Sequence, residues 1–345
     1  MTADAINLDH HATTPVPDAV WDAIRAAPAL NSSSGHQLGR VARRAFDDAR
    51  ERIAARLGAD PDEVVITSGA TESNNLAVFG LCGAEPGPVA ASAIEHSCVT
   101  EPFRHLAKRG YDVRWLPVGS DGRARLDSLS PDLRLVCVMR VNHETGAVQP
   151  IVPPGPWRWH CDAAQAVGKI PVHFHELGAS TLAASGHKFG APQGVGLLLI
   201  RRGVKLRPLT FGGPHQQGRR PGTEPVALAV GLATALDIAC DALETRAAHV
   251  ARLRSLLIER LTADAGPVVI NSPPDGSPYV VNMSFPGLRA DQALMALDVA
   301  GVACSAGPAC SSGTVQVSAG LRAMGLPDDV ARAALRFSFG WDESP

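Results

Sequence analysis

The chain has 345 residues, long for one core at about 100–200 residues per domain, so its length points to two units. Its 32 basic and 34 acidic side chains nearly cancel, which argues against a field built to draw in nucleic acid or anionic lipid and leaves small molecules or proteins as partners. Seven scattered cysteines, odd in number and without a C-x-x-C pair, exclude a disulfide framework or zinc site and predict a reducing cytoplasm.

At the start, MTADAINLDHHATTP is neither a basic leader nor an apolar signal core. No run of about 18 uncharged apolar residues follows, so the expectation is a soluble, unexported protein with no membrane partner. Residues 36–57, HQLGRVARRAFDDARERIAARL, place apolar side chains at helical spacing and stop at Gly58, which predicts an exposed amphipathic helix. DEVVITSGATESNNLAVFGL then reads as a strand, a small-residue turn and a helix starting near Ala70. The same rhythm recurs at PVAASAIEHSCVTEPFRHLAKRG, and apolar runs at 133–141, 157–163, 180–185 and 195–201 complete a set of strands.

Strands alternating with helices predict a mostly parallel, doubly wound sheet covered on both faces. Residues 225–263 form a long helical stretch, bent near 241–246, that carries the chain into a second unit. That unit reads as a small α+β domain: strand YVVNMSF, helix DQALMALDVA, strand VACSA, loop SAGPACSSG, a helix at 319–325 and a last strand, ALRFSFG. Cys304 falls in the strand and is expected in its core, whereas Cys310 sits on a loop with no face to bury.

Lys188 lies in TLAASGHKFGAPQGVGLLLI between two β-rich runs, with glycines on both sides. It is either a surface lysine or an amine held at a sheet's carboxyl edge, as a Schiff-base lysine requires. Pyridoxal phosphate would further need a buried carboxylate for its ring nitrogen, and Asp162, ending WRWHCDAAQ, is placed for that or for capping a helix at Ala163. Gln165 is in reach of the ring's phenolic oxygen if the chain turns there. Ser68-Gly69-Ala70-Thr71 opens a helix directly after a strand, so the Ala70 amide and Thr71 suit a phosphate, with Ser185 and His187 nearby. His96 ends another strand, where it either stacks on the ring or packs structurally.

The stretches LDHHATTP, SGATESNNLA, EHSCV, NHETG, HCDAAQAVGK, ASGHKFGAPQGVG, RRPGTEPV, SAGPACSSG and LRFSFG, in this order, resemble the cysteine desulfurases of the nitrogen-fixation and iron-sulfur-cluster type. These belong to the class V branch of fold-type I pyridoxal phosphate enzymes. The resemblance implies a large domain over 12–240 with a seven-stranded-type sheet, and a small domain from 1–11 and 241–345 with a mobile catalytic loop at about 303–316. It makes Lys188 the Schiff-base residue and later proton carrier, Asp162 the partner of the ring nitrogen, Gln165 that of the phenolic oxygen, and His96 the stacking group. Ala70, Thr71, Ser185 and His187 would hold the phosphate, and Thr223 would reach the phosphate in the neighbouring subunit of a homodimer.

Arg336, with Asn31 beside it, would grip the substrate carboxylate, a task suited to a planar fork. L-Cysteine would become L-alanine, its sulfur passing to Cys310 as a persulfide and then to an acceptor protein such as an iron-sulfur scaffold. Another carbon-sulfur or selenocysteine lyase, an aminotransferase, or a non-catalytic partner-binding homologue are the alternatives.

Three departures from the family stand out. His143 occupies the position of a common second asparagine, so either His143 or Asn142 contacts the cofactor. A proline-rich bridge, VQPIVPPGPWRWHCD, replaces a helix of about four turns, leaving a sheet face for Trp157 and Trp159 or a partner to shield. The sequence stops at WDESP, where relatives continue into a tail that helps dock the scaffold, which puts delivery to the usual scaffold in question. His10, His11, His173 and His175 lack informative metal-ligand spacing, so no metal is expected and they read as packed or solvated.

Overall fold

In a computed structural model of the chain, residues 5–306 and 317–341 are described. Cys310 lies outside them. Seven strands form the central sheet in the order Val64–Thr67, Gly196–Ile200, Thr181–Ser185, Arg158–Asp162, Leu135–Cys137, Pro88–Ser92 and Asp112–Leu116. Only Gly196–Ile200 runs antiparallel to its neighbours, so the sheet is mostly parallel as expected.

Side-chain alternation along these strands divides two cores. Val64, Ile66, Leu182, Leu197 and Leu199 face one core, while Val65, Ala183, Leu198 and Ile200 face another. On the first face lies the helix Gln37–Leu57, which packs against Val226–Asp241. Its buried positions, Ala42, Phe46, Ala49 and Ile53, repeat every three to four residues, so its charges fall on the outer side. The His36 side chain accepts the Gly39 N–H at its start, and left-handed Gly58 ends it. On the opposite face sit the helices Ala70–Leu81 and Ser97–Lys108.

The proline-rich bridge carries no helix, and Trp159 fills part of the space. It is buried in the first core, with its indole N–H donating to the Val138 carbonyl at 3.3 Å, and Trp157 packs against that core. Helices Val226–Asp241 and Leu243–Asp264 meet at Ala242 with a bend of 68°, within the expected interval. Among the described residues no single helix is long and apolar enough to cross a membrane.

Beyond the bend, an antiparallel sheet runs Ser305–Ala306, Ala334–Ser338, Val280–Ser284, Val269–Ile270. Its core gathers Val250, Tyr279, Val281, Met283, Leu335 and Phe337. Ile6–Asn7 pairs in parallel with Val302–Ala303, and Asp9 bridges to Ser338, so the first described residues join the last described strand here. The expected strand VACSA is two short strands in different sheets, with Cys304 between them. Cys304 is half-buried and reaches the edge of the small core, a correction to its expected place in a strand core. The helices Asp18–Ala26 and Asp328–Arg332 match no segment read as helical from the sequence; a proline precedes each.

Candidate active site

Strand carboxyl ends converge on a cavity of about 560 Å³. Of the residues singled out from sequence, Ala70, Thr71, His96, His143, Asp162, Gln165, Ser185, His187, Lys188 and Arg336 all line it. Asn31 and Thr223 are exposed elsewhere, and Asn142 is buried outside the lining. Gly69 joins strand Val64–Thr67 to the helix Ala70–Leu81, whose first-turn amides open on the cavity. The neighbouring strand passes so closely that a Cβ on Gly196 would stand 2.6 Å from the Ala184 carbonyl oxygen and from Gly69 Cα.

Asp162 ends its strand buried, with Oδ1 accepting the Ala164 N–H at 2.9 Å and Oδ2 accepting the Asn74 side-chain amide at 2.7 Å. The first contact is local and turns the chain toward Gln165; no helix starts at Ala163. Asn74 Oδ1 lies 2.8 Å from His160 Nε2. Burial drives His160 down to about 3, so this imidazole is neutral.

Lys188 Nζ donates to the carbonyls of His11 and Ala12 at 2.6 and 2.8 Å. Burial and then the Arg336 charge bring its pKa down to about 8, against an opposing pull from Asp9 and Asp162. Gln165 donates to the same His11 carbonyl at 3.0 Å, while its Oε1 accepts from buried Lys169 at 2.6 Å. His11 was expected only as a packed or solvated residue. It is packed, but it also lines the cavity, and its carbonyl ties Lys188 and Gln165 together. Neither Lys169 nor Asn74 was foreseen, although both stand inside motif stretches. A lysine closing the apolar run AAQAVGK was the available signal for the first.

Of the two candidates at NHETG, His143 lines the cavity and meets His96 edge to face, with centroids 5.1 Å apart. Asn142 instead spends its side-chain oxygen on the N–H groups of Glu144 and Thr145, a local turn that closes the segment. Burial holds the His11, His143 and His187 imidazoles below their ordinary pKa, His187 at about 4, and the nearby cations push the same way. The site therefore pairs neutral rings with a few fixed charges.

Arg336 donates through Nη2 to Asp9 at 2.8 Å and through Nη1 to the His143 carbonyl at 3.3 Å; its buried Nε has no partner among the described residues. It also borders an adjoining space of about 710 Å³ with Glu95, Glu144 and Cys304. Burial lifts the Glu95 carboxyl to about 8. This adjoining space reaches both sides of the segment that carries Cys310, at Ala306 and Val317.

An amine, a buried carboxylate with lone pairs to spare, a helix N-terminus flanked by hydroxyls and an imidazole thus surround one cavity. This donor set fits pyridoxal phosphate: Lys188 for the aldehyde, Asp162 for the ring nitrogen, and Ala70, Thr71, Ser185 and His187 for the phosphate.

Comparison with known proteins points the same way. The family described as aminotransferase class-V matches residues 6–344. An IscS-like cysteine desulfurase of Mycobacterium tuberculosis is 41% identical, the match covering 96% of this chain and 91% of that protein. A human cysteine desulfurase is 37% identical over 96% of this chain and 77% of its own length. Among solved structures, a NifS-like protein superposes with a TM-score of 0.92 at 32% identity, covering 99% of this chain and 95% of that one. DndA from Streptomyces lividans gives 0.80 at 36% identity, over 98% and 99%. The chain belongs to the class-V aminotransferase family of pyridoxal phosphate enzymes, alongside its cysteine desulfurases.

Proposed function

We propose that the protein is a pyridoxal phosphate-dependent cysteine desulfurase that converts L-cysteine to L-alanine and passes the sulfur through Cys310 to an acceptor protein. The observation that carries this reading is the meeting of Lys188, Asp162 and Arg336 around one cavity. Bound there, the cofactor supplies a protonated ring that takes up the electron pair left when the substrate's Cα–H bond breaks. Asp162, fixed by Asn74 and the Ala164 amide, keeps that ring nitrogen protonated. Lys188, with a pKa near 8, has the free amine needed to bind the aldehyde and, once displaced, to carry the α-proton.

Arg336 receives the substrate carboxylate through its guanidinium at the cavity wall. Gln165 and His143 address the phenolic oxygen, and His96 covers the ring. The Cys310 thiolate then attacks the substrate sulfur. An S–S bond forms, the C–S bond breaks with its electron pair left on carbon, and protonation there together with return of the α-proton by Lys188 completes alanine.

The same reading makes the protein a cytoplasmic homodimer, in which exposed Thr223 serves the phosphate of the neighbouring subunit. It divides the chain into a large unit at 12–240 and a small unit at 1–11 and 241–345. It names an iron-sulfur scaffold or another sulfurtransferase as the acceptor. Incubation with L-cysteine and a reductant, scoring alanine and sulfide, tests the activity. Wild type should release both in equal amounts and Cys310→Ala should release almost no sulfide; equal sulfide from the two removes Cys310 from the mechanism.

A further inference from the structure

Cys98 lines the cavity on the helix Ser97–Lys108, for which His96 is the N-cap. Its backbone N–H lies 3.2 Å from His96 Nδ1. A backbone N–H can only donate, so Nδ1 is the unprotonated nitrogen and Nε2 carries the ring proton. The Cys98 thiol is 2.9 Å from the same Nδ1 and 3.9 Å from Asp162 Oδ2, so its one S–H donates to the nearer acceptor, the imidazole.

The sulfur in turn accepts an N–H of Asn74 at 3.0 Å, and the other N–H of that amide goes to Asp162 at 2.7 Å. A carboxylate accepts only, so the amide's orientation is forced. Asn74 Oδ1 then takes the His160 Nε2–H at 2.8 Å, and His160 Nδ1 accepts the Thr181 hydroxyl at 2.9 Å. All of Asn74, His160 and Thr181 are fully buried. One hydrogen-bonded line thus runs from the middle of the sheet, past the carboxylate, to the imidazole, and Cys98 is its last link.

We propose that Cys98 is a positioning residue whose thiol ties His96 to the Asn74–Asp162 pair, holding Nδ1 inward and presenting Nε2–H to the cavity. Burial and then the charge of Asp162 raise the pKa of this thiol far above its ordinary value, so the S–H persists as a donor. Protonation of Nδ1 would break the contact, so the thiol opposes formation of the imidazolium. Burial already lowers the pKa of His96, with the Lys188 and Arg336 charges acting the same way and Asp162 opposing them. The inference rests on the proposed function only for what His96 does next; its geometry stands apart from the activity.

The test uses the full chain with cofactor added, isotope-labelled at histidine, with the His96 signals assigned from a His96→Asn variant. Long-range nitrogen–proton correlations should show one tautomer, protonated at Nε2, in wild type and in Cys98→Ser, whose hydroxyl replaces the donor. In Cys98→Ala the His96 signals should broaden or shift and its titration should move upward. With L-cysteine, kcat should fall about fivefold in Cys98→Ala, with KM little changed, and recover in Cys98→Ser, as the loss of one hydrogen bond implies. Identical His96 signals and titration in wild type and Cys98→Ala would overturn the proposal. Wild type without desulfurase activity but with the expected His96 changes would reject the function and keep the positioning role.

Discussion

The two edges of the central sheet hold the same kinds of side chain to opposite ends. At the amino end of strand Val64–Thr67, buried Glu63 meets His175 at 2.7 Å, while Asp60 and Asp62 meet Arg202 at 3.0 and 2.9 Å. At the carboxyl ends stand Asp162, His96, Lys188 and Arg336. The difference is saturation. Glu63 spends Oε1 on the Arg202 N–H and Oε2 on the Asp60 N–H and His175, so little capacity remains for a ligand. Asp162, with lone pairs beyond its two short contacts, and Arg336 line an open cavity, where ligands of parallel α/β sheets are expected.

The sharpest way to break this contrast is Asp162→Asn. An amide cannot hold the ring nitrogen protonated, and it sets one N–H group against that of Asn74. The expected loss in kcat with L-cysteine is about 100-fold, typical of removing a fixed charge from a reacting centre. Steady-state alanine formation measures it, and a variant within threefold of wild type would take Asp162 out of the role assigned here.

Arg336 sharpens the contrast from the substrate side. Arg336→Lys keeps the charge but loses the fork, so KM for L-cysteine should rise about tenfold. Arg336→Gln also removes a charge that depresses Lys188, and this has a direct readout. Protein stripped of cofactor should capture added pyridoxal phosphate faster as pH rises through about 8, because the protonated amine prevails below that value and the nucleophilic amine above it. That midpoint should move up in Arg336→Gln and stay close to the wild-type value in Arg336→Lys. Asp9→Asn removes a charge of the opposite sense and should move it down. Stopped-flow absorbance at the cofactor band follows all three.

What could be read from the chain itself follows the range of the interactions. The helix Gln37–Leu57 was legible because its buried positions are near neighbours along the chain. So were Lys188 and Asp162, because one follows an apolar strand after a short turn and the other ends one, each with a residue whose chemistry is out of place there. Asn74, His11 and Lys169 were not. Asn74 reaches Asp162 across 88 positions and the His11 carbonyl reaches Lys188 across 177. No local pattern marks a carbonyl or an amide that acts through such a partner. The choice between Asn142 and His143 was readable in principle, since an asparagine at the head of a turn such as Asn-His-Glu-Thr-Gly commonly puts its oxygen on the amides two and three residues on.

The smallest expected effect on catalysis comes from the saturated edge, and it tests the contrast from the other side. Burial pushes the Glu63 carboxyl up, but the N–H groups of Asp60 and Arg202 and the ring of His175 more than offset this, leaving its pKa below the ordinary value. The folded state thus favours the carboxylate, and stability from this group is fully present above the unfolded-state pKa. It is lost as pH falls through the lower folded value. Glu63→Gln keeps the shape but gives one of the two oxygens' positions to an amine facing donors, at a cost of about 1–3 kcal/mol. Denaturant unfolding should show that loss near neutral pH and a smaller one in acid, while kcat and KM for L-cysteine stay within about twofold of wild type. A catalytic defect larger than the loss of folded protein would mean that the amino edge of the sheet takes part in the chemistry after all, and that saturation does not separate the two edges.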